Sequence, residues 1–384
     1  MACLTSDNCR TITYAKSTSS CELFIDTPSE YGSLVAQTGY VTMIAIDDRQ
    51  LPGPLFPLHG ITVAGYGNGT SGNANNALKT PWGLAITTNN LLYVSDLYNY
   101  RIMKMKIGNL TGSVVAGTAG VYGGTPTTFY YPTEIAVDAG SNVHIVDTNS
   151  CRVMLWRYNS SSGVVVAGNG TCGSSTMLLD HPLGLAVDSQ GNIYVADTYN
   201  HRVMKWAVNA TSGKVMAGVT GVSGSDNQHL YSPYGLYLDE SNSYLYIADC
   251  NNHRIQKYRV DIPSNGTTVA GGNGAGTARN QLYQPYDVCV SKKTGDIYVA
   301  DKGNFRIQRW SVGATSAITI VGNFRIQRWS VGATSAITIV GTTGVSGTNA
   351  TQLTGPSNVI LDMNETFLYA SDIDNNRVQQ YQLP

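Results

Sequence analysis

Residues 184–218 read GLAVD (Gly184–Asp188), SQGN (Ser189–Asn192), IYVAD (Ile193–Asp197), TYNH (Thr198–His201), RVMKWAV (Arg202–Val208), NATSG (Asn209–Gly213) and KVMAG (Lys214–Gly218). Four runs of five to seven residues, rich in Val, Ile, Tyr and Trp, alternate with short polar stretches. β-branched and aromatic side chains suit a pleated, half-buried surface, and the Gly, Asn and Ser between them supply turns. The unit therefore reads as a four-stranded antiparallel meander. The whole chain has a composition to match. Of 384 residues, 41 are Gly and five are Glu (Glu22, Glu30, Glu134, Glu240, Glu365), so good helix formers are scarce. Charged residues make up 13%, against about 25% in an average domain, which excludes a coiled coil and a charge-rich disordered chain. A hydrophobic content of 42% allows a large core, and the net charge of −1 sets up no field directed at nucleic acid or an anionic membrane. No apolar run approaches the ~18 residues of a membrane-spanning helix.

The same unit recurs. Pro81, Pro132, Pro182, Pro233, Pro285 and Pro356 each precede a short apolar run, at spacings of 51, 50, 51, 52 and 71. Asp96, Asp147, Asp197, Asp249, Asp301 and Asp372 keep the same rhythm, and each is followed five residues later by an arginine: Arg101, Arg152, Arg202, Arg254, Arg306 and Arg377. The long spacing has a simple source. Residues 304–322 and 323–341 are the same nineteen letters, NFRIQRWSVGATSAITIVG, and without one copy the spacing is 52. The second copy either adds two strands to the outer edge of its blade or bulges out as a loop. One meander cannot bury both its faces, so the copies must pack face to face around an axis. Six of them make an all-β, six-bladed β-propeller. ITVAG (Ile61–Gly65) matches a fourth strand ahead of the first full repeat, and the chain stops after RVQQYQL (Arg377–Leu383), a third strand. Strand Ile61–Gly65 is thus expected to complete the last blade and close the ring.

The pattern P-x-G-L-A-V-D followed by G-N-I-Y-V-A-D-T-x-N-H-R-V-M-K-W resembles the NHL repeat, in all six copies and from Ile61 to Pro384. A WD40 reading lacks the Trp-Asp pair and the ~40–45-residue period. A kelch reading lacks a Gly-Gly pair in each blade, since Gly-Gly occurs only at 123–124 and 271–272.

Residues 1–46 do not share the repeat. CLTSDNCRTITYAKSTSSCELF, with Cys3, Cys9 and Cys21, resembles the later part of a PAN/apple domain, whose last strands would fall in Gly32–Ile46. The resemblance implies a Cys3–Cys9 disulfide, leaves Cys21 without its partner, and puts the helix start upstream of Met1, as in a truncated module. Residues 47–60, with Pro52, Pro54 and Pro57, read as a stiff linker to the propeller at 61–384. Cys151, in the turn before the third strand of repeat 2, and Cys172, just after its fourth, fall at one end of a meander and are expected to pair; the alternative is two free thiols. Cys250 and Cys289 are expected to stay single. Eight N-x-S/T sequons, at Asn68, Asn109, Asn159, Asn169, Asn209, Asn265, Asn349 and Asn364, fall mostly in predicted loops where glycans can be attached.

A charged pair present in every blade belongs to the scaffold, because a catalytic site is asymmetric. The six Asp/Arg pairs are expected to brace the second-to-third strand turn or to bridge blades. Departures from the repeat carry more information about function. The glycine two residues past the proline becomes Glu134, Asp287 and Asn358 in repeats 2, 5 and 6. These polar groups at the channel mouth could hold a hydrated cation, as in gluconolactonase-like propellers, or bind backbone and channel water. Trp82, Tyr234 and Tyr286 follow the prolines, and Tyr100, His201, His253 and Phe305 end the N-x-R turns. All seven fall on one face of the disc, as a contact surface for a protein or glycan or as inter-blade packing. The six histidines offer no H-x-H or H-x-x-x-H pair, and no three share a channel-facing position, so no zinc, and no other metal or cofactor, is expected. Residues 61–384 carry 21 Lys+Arg and 19 Asp+Glu with no basic stripe, so no nucleic-acid partner is expected.

These readings point to a monomeric, non-catalytic binding module, secreted or at the cell surface, with its signal peptide missing from this sequence. Two alternatives are the substrate-recruiting propeller of a tripartite-motif ubiquitin ligase, without its RING, and a metal-dependent lyase or lactonase working at the channel mouth.

Overall fold

The computed structural model describes residues 11–15, 20–24, 40–44, 58–262, 264–310, 319–321, 325–327 and 337–383. The chain divides into two compact units, Met1–Pro54 and Leu55–Leu383. In the first, Thr11–Ala15 is the middle strand of a three-stranded antiparallel sheet, between Ser20–Phe24 and Tyr40–Ile44. The Cys3–Cys9 pairing and most of the stretch 47–60 lie outside the described residues, as does the apple-like segment apart from these strands.

The second unit is a six-bladed propeller of four-stranded antiparallel sheets. Blade 3 shows the plan: Leu185–Val187, Ile193–Asp197, Arg202–Trp206 and Lys214–Gly218 pair in chain order. The first strands of neighbouring blades approach one another all round the axis. Strand Ile61–Gly65 pairs antiparallel with Arg377–Gln382, Gly65 opposite Arg377, so the sixth blade takes its outer strand from the start of the ring and closes it. Among the described residues no helix is long and apolar enough to cross a membrane.

Each gap between blades holds its own apolar core. Between blades 1 and 2, for example, lie Tyr93, Ile102, Phe129, Ile145, Met154 and Trp156, all buried. Alternation along the strands sends one set of side chains to each neighbour, which is why an isolated meander has no stable form. In all six blades the register between third and fourth strands slips just past the arginine, as at Val203/Met204. A bulge there adds twist, and twisted blades pack radially. The fourth strand of blade 3 ends at Gly218, φ +78°, where a Cβ would collide with the carbonyl oxygen of His201.

Blade 5 shows what the duplication does. Its third strand, Arg306–Trp310, comes from the first copy and its fourth, Ile337–Gly341, from the second. The leftover pieces, Thr319–Val321 and Arg325–Gln327, pair with each other in a separate two-stranded sheet. The blade itself keeps four strands, so the extra residues form an inserted hairpin and do not widen the edge.

Candidate functional site

One end of the blades gathers the start of each first strand and the end of each second. In every blade but the third, the proline that opens the first strand faces the repeated aspartate across the ladder, as Pro233 faces Asp249. A one-turn 3-10 helix follows each aspartate and ends on a residue in the left-handed region: Tyr100, Cys151, His201, His253, Phe305 and Asn376, φ +46° to +57°. The residue before each proline is left-handed too, from His181 at +45° to Gly355 at +86°.

The aspartate–arginine pairs fix these turns. All six are buried, with nitrogen–oxygen distances of 2.7–3.0 Å. The second carboxylate oxygen accepts the backbone N–H two residues before the proline, as Asp197 Oδ1 does from Asp180 at 2.6 Å. The guanidinium reaches carbonyl oxygens of the connector from the preceding blade; Arg101 holds Asn73, Ala74 and Ala77. A third member was visible only as the asparagine of the N-x-R turn. Asn99, Asn200, Asn252, Asn304 and Asn375 donate through Nδ2 both to the aspartate and to a connector glycine carbonyl. Blade 2 has Ser150 in this slot. Burial pushes all six aspartates above their ordinary pKa, against the opposing pull of these hydrogen bonds and of the arginine.

Trp82, Tyr286 and Tyr234 converge, although they come from blades 1, 5 and 4. Trp82 stacks on Tyr286 with ring centroids 5.6 Å apart, and Tyr286 lies 4.6 Å from Tyr234. Trp82 reaches Tyr286 past blade 6, where the equivalent residue is the small Ser357. The ammonium of Lys302 sits 5.2 Å from the Tyr286 ring. All three rings are half-buried, and desolvation pushes the Tyr286 hydroxyl up to about 12.

The outer four candidates are distributed around this stack. Tyr100 packs between Tyr131 and Tyr122. His201 and His253 meet Tyr231 and Tyr283, and their Nδ1 atoms accept backbone N–H groups of Ser232 at 3.3 Å and Gln284 at 3.1 Å. Asn376, in the same slot, accepts from Thr80 at 2.9 Å. These side chains latch one blade to the next. Phe305 occupies the matching left-handed slot of blade 5. The tyrosines of the turns and connectors are not marked by the repeat motif. Tyr98, Tyr122, Tyr130, Tyr199, Tyr231 and Tyr283 all expose their rings at this end of the disc. For Tyr130, Tyr231 and Tyr283 the signal was a Tyr two residues before the proline, and for Tyr98 and Tyr199 a Tyr two residues after the repeated aspartate.

Below the stack, Glu134, Asp287 and Asn358 meet in the channel, all buried. Asn358 Nδ2 donates to Glu134 Oε2 at 2.9 Å, joining blade 6 to blade 2. Asp287 Oδ2 accepts the Val359 N–H at 3.0 Å. The glycines retained in other blades make the room: a Cβ on Gly235 would collide with the Asp287 carboxylate. Among the described residues neither carboxylate has an ion-pair partner, and Asn358 Oδ1 has no hydrogen-bond donor. Desolvation, with Asp287 as a like charge nearby, pushes Glu134 well above the carboxylate range; desolvation also raises Asp287 to about 7. The donor set suits a hard cation, for which oxygen ligands are the rule.

Cys151 and Cys172 form a disulfide, with Cα atoms 5.1 Å apart. Cys250 and Cys289 are free and buried. Asp180 and His181 bring donor atoms near the disulfide sulfurs, but its cysteines have no thiolate to offer a metal.

The NHL repeat family model matches residues 179–206 and 282–310. The chain carries NHL repeats. Among curated proteins none matches the sequence. Solved structures similar to this NHL-repeat propeller include a Bacteroides thetaiotaomicron protein of unknown function, 14% identical with a TM-score of 0.61, covering 98% of this chain and 91% of that one. A gluconolactonase from Xanthomonas campestris is 13% identical, TM-score 0.56, over 87% of this chain and 99% of its own. An auxiliary nutrient binding protein from Bacteroides thetaiotaomicron is 13% identical, TM-score 0.57, over 84% and 76%. At such identities the likeness shows the fold alone.

Proposed function

We propose that this protein is a non-catalytic recognition module of the extracellular space, binding a protein or glycan across the aromatic face of its disc. The observation that carries the reading is the Trp82–Tyr286–Tyr234 stack over the channel, half-exposed and surrounded by exposed tyrosines. Rigid rings with a polar edge offer large contact area at low entropic cost, and their flat faces suit sugar rings and apolar side chains alike. The Cys151–Cys172 disulfide supports an oxidising compartment, and so favours this reading over an intracellular ubiquitin-ligase propeller. The purified protein is expected to bind a restricted set on arrays of glycans and purified matrix proteins. Trp82→Ala/Tyr286→Ala should weaken that binding at least tenfold while the unfolding midpoint stays within a few degrees. Unchanged binding by the double variant overturns the reading.

A second reading, lyase or lactonase chemistry at the channel mouth, draws on a different observation. Among the described residues, two buried carboxylates have no ion-pair partner, beside an asparagine oxygen with no hydrogen-bond donor. Glu134, Asp287 and the Asn358 carbonyl would hold the ion, which would supply Lewis-acid polarisation of a carbonyl. Elemental analysis finding one tightly held divalent ion per chain, lost in Glu134→Gln, promotes this reading; none retained removes it.

A further inference from the structure

We infer that the turns joining third to fourth strands in blades 1–4 carry N-linked glycans, on Asn109, Asn159, Asn209 and Asn265. The inference rests on the extracellular reading above and adds to it which surface the sugar covers. Each of these asparagines opens an N-x-S/T sequon, each is exposed, and the four lie in four consecutive blades at the same turn. That turn is at the end of the blades opposite the prolines and the aromatic face.

A purely conformational account covers only half of the pattern. Asn159 and Asn209 stand at φ +57° and +61°, where asparagine is tolerated. In blade 1 Gly108, φ +91°, takes the left-handed position, and Asn109 follows it without a positive φ. In blade 4 the turn is longer and Asn265 is not left-handed either. The sequon is present in both blades although the backbone no longer asks for asparagine. Nor does the left-handed backbone explain the hydroxyl residue two positions on: Thr111, Ser161, Thr211 and Thr267. In blade 1 the Thr111 N–H donates to Asn109 Oδ1 at 3.1 Å, which places the hydroxyl residue against the acceptor amide.

The co-substrate is a polyprenyl-diphosphate-linked oligosaccharide of the secretory pathway. The asparagine Nδ2 bonds to the anomeric carbon, the carbon–oxygen bond to the diphosphate breaks, the lipid diphosphate departs, and one amide proton passes to base. Sugars there cover that end of blades 1–4.

The test secretes the full chain from a eukaryotic cell behind an added leader. Peptide N-glycosidase in heavy-oxygen water then converts each occupied asparagine to labelled aspartate for peptide mapping. Label is expected at all four positions. Ser161→Ala and Thr211→Ala remove the acceptor sequence without touching the left-handed asparagine, so each should lose one glycan mass and keep the wild-type unfolding midpoint; Asn109→Gln should do the same. Folded, secreted protein with label at fewer than three of the four, or only at Asn68, Asn169 and Asn349, overturns the inference. Secretion is imposed by the leader and the readout is mass, so the result stands or falls apart from any ligand on the aromatic face.

Discussion

Arg202 Nε donates to Asp197 Oδ2 at 2.7 Å, while its outer nitrogens hold the carbonyl oxygens of Ser174, Ser175 and Leu178. The pair is thus half of a clamp: the aspartate orients the guanidinium, and the guanidinium fixes the connector arriving from blade 2. A lysine keeps the charge but not the planar fork. Arg202→Lys is expected to cost roughly 3 kcal/mol, close to the loss of a buried pair, because connector carbonyls and a buried carboxylate are left short of donors. Urea unfolding reads the difference; a loss below about 1 kcal/mol would mean the connector holds without the clamp.

The disulfide closes a different link in the same neighbourhood. Cys151 and Cys172 are 21 residues apart, spanning the third and fourth strands of blade 2. A closed loop of that size restricts the unfolded chain by about 3 kcal/mol. Cys172→Ser, at an exposed position, should lose about that much, and adding a reductant to the wild type should reproduce the loss. A reductant effect on the Cys172→Ser protein as well would place the labile bond elsewhere.

The channel carboxylates make stability depend on pH. Burial raises Glu134, with Asp287 adding repulsion, and burial raises Asp287 to about 7. A carboxyl raised above its unfolded value binds more protons in the folded chain, so stability falls as pH rises. The contribution is fully present below the ordinary carboxylate range near pH 4 and is lost through about 7 and beyond. The six raised scaffold aspartates act in the same direction, so the discriminating measurement is a difference. Glu134→Gln/Asp287→Asn should flatten the decline in unfolding free energy between pH 5 and 8. An unchanged slope would show that these two groups are already compensated in the folded protein.

The ring was legible because its repeat is long and recurs six times. A proline, an aspartate 15 or 16 residues on and an arginine five beyond it mark strand starts and ends, and Ile61–Gly65 could be matched to a missing fourth strand by pattern alone. His201 and His253 were less readable. Their ring nitrogens accept N–H groups 31 residues away, a contact set by how far one blade is rotated against the next. Sequence spacing does not encode that rotation. Tyr122, Tyr130, Tyr231 and Tyr283 escaped notice for a related reason: they lie in connectors of varying length, outside the strand pattern. The meeting of Asn358 with Glu134 depends on Gly83 of the blade between them, a three-body fit that no pairwise motif describes.

The tandem copy lends itself to a deletion. Blade 5 uses Arg306–Trp310 from one copy and Ile337–Gly341 from the other, leaving residues 311–336 as the connection. Removing residues 304–322 restores one uninterrupted copy and shortens that connection from 26 residues to seven. Strand residues facing blades 4 and 6 are unchanged, because the remaining copy supplies the same RIQRW and ITIVG. Closing a shorter loop costs less entropy, by about 1 kcal/mol for this change in length. The shortened chain is therefore expected to unfold cooperatively and to be as stable as the full one or up to about 1 kcal/mol more so. A loss of stability on deletion would mean that the inserted hairpin contributes contacts the propeller needs.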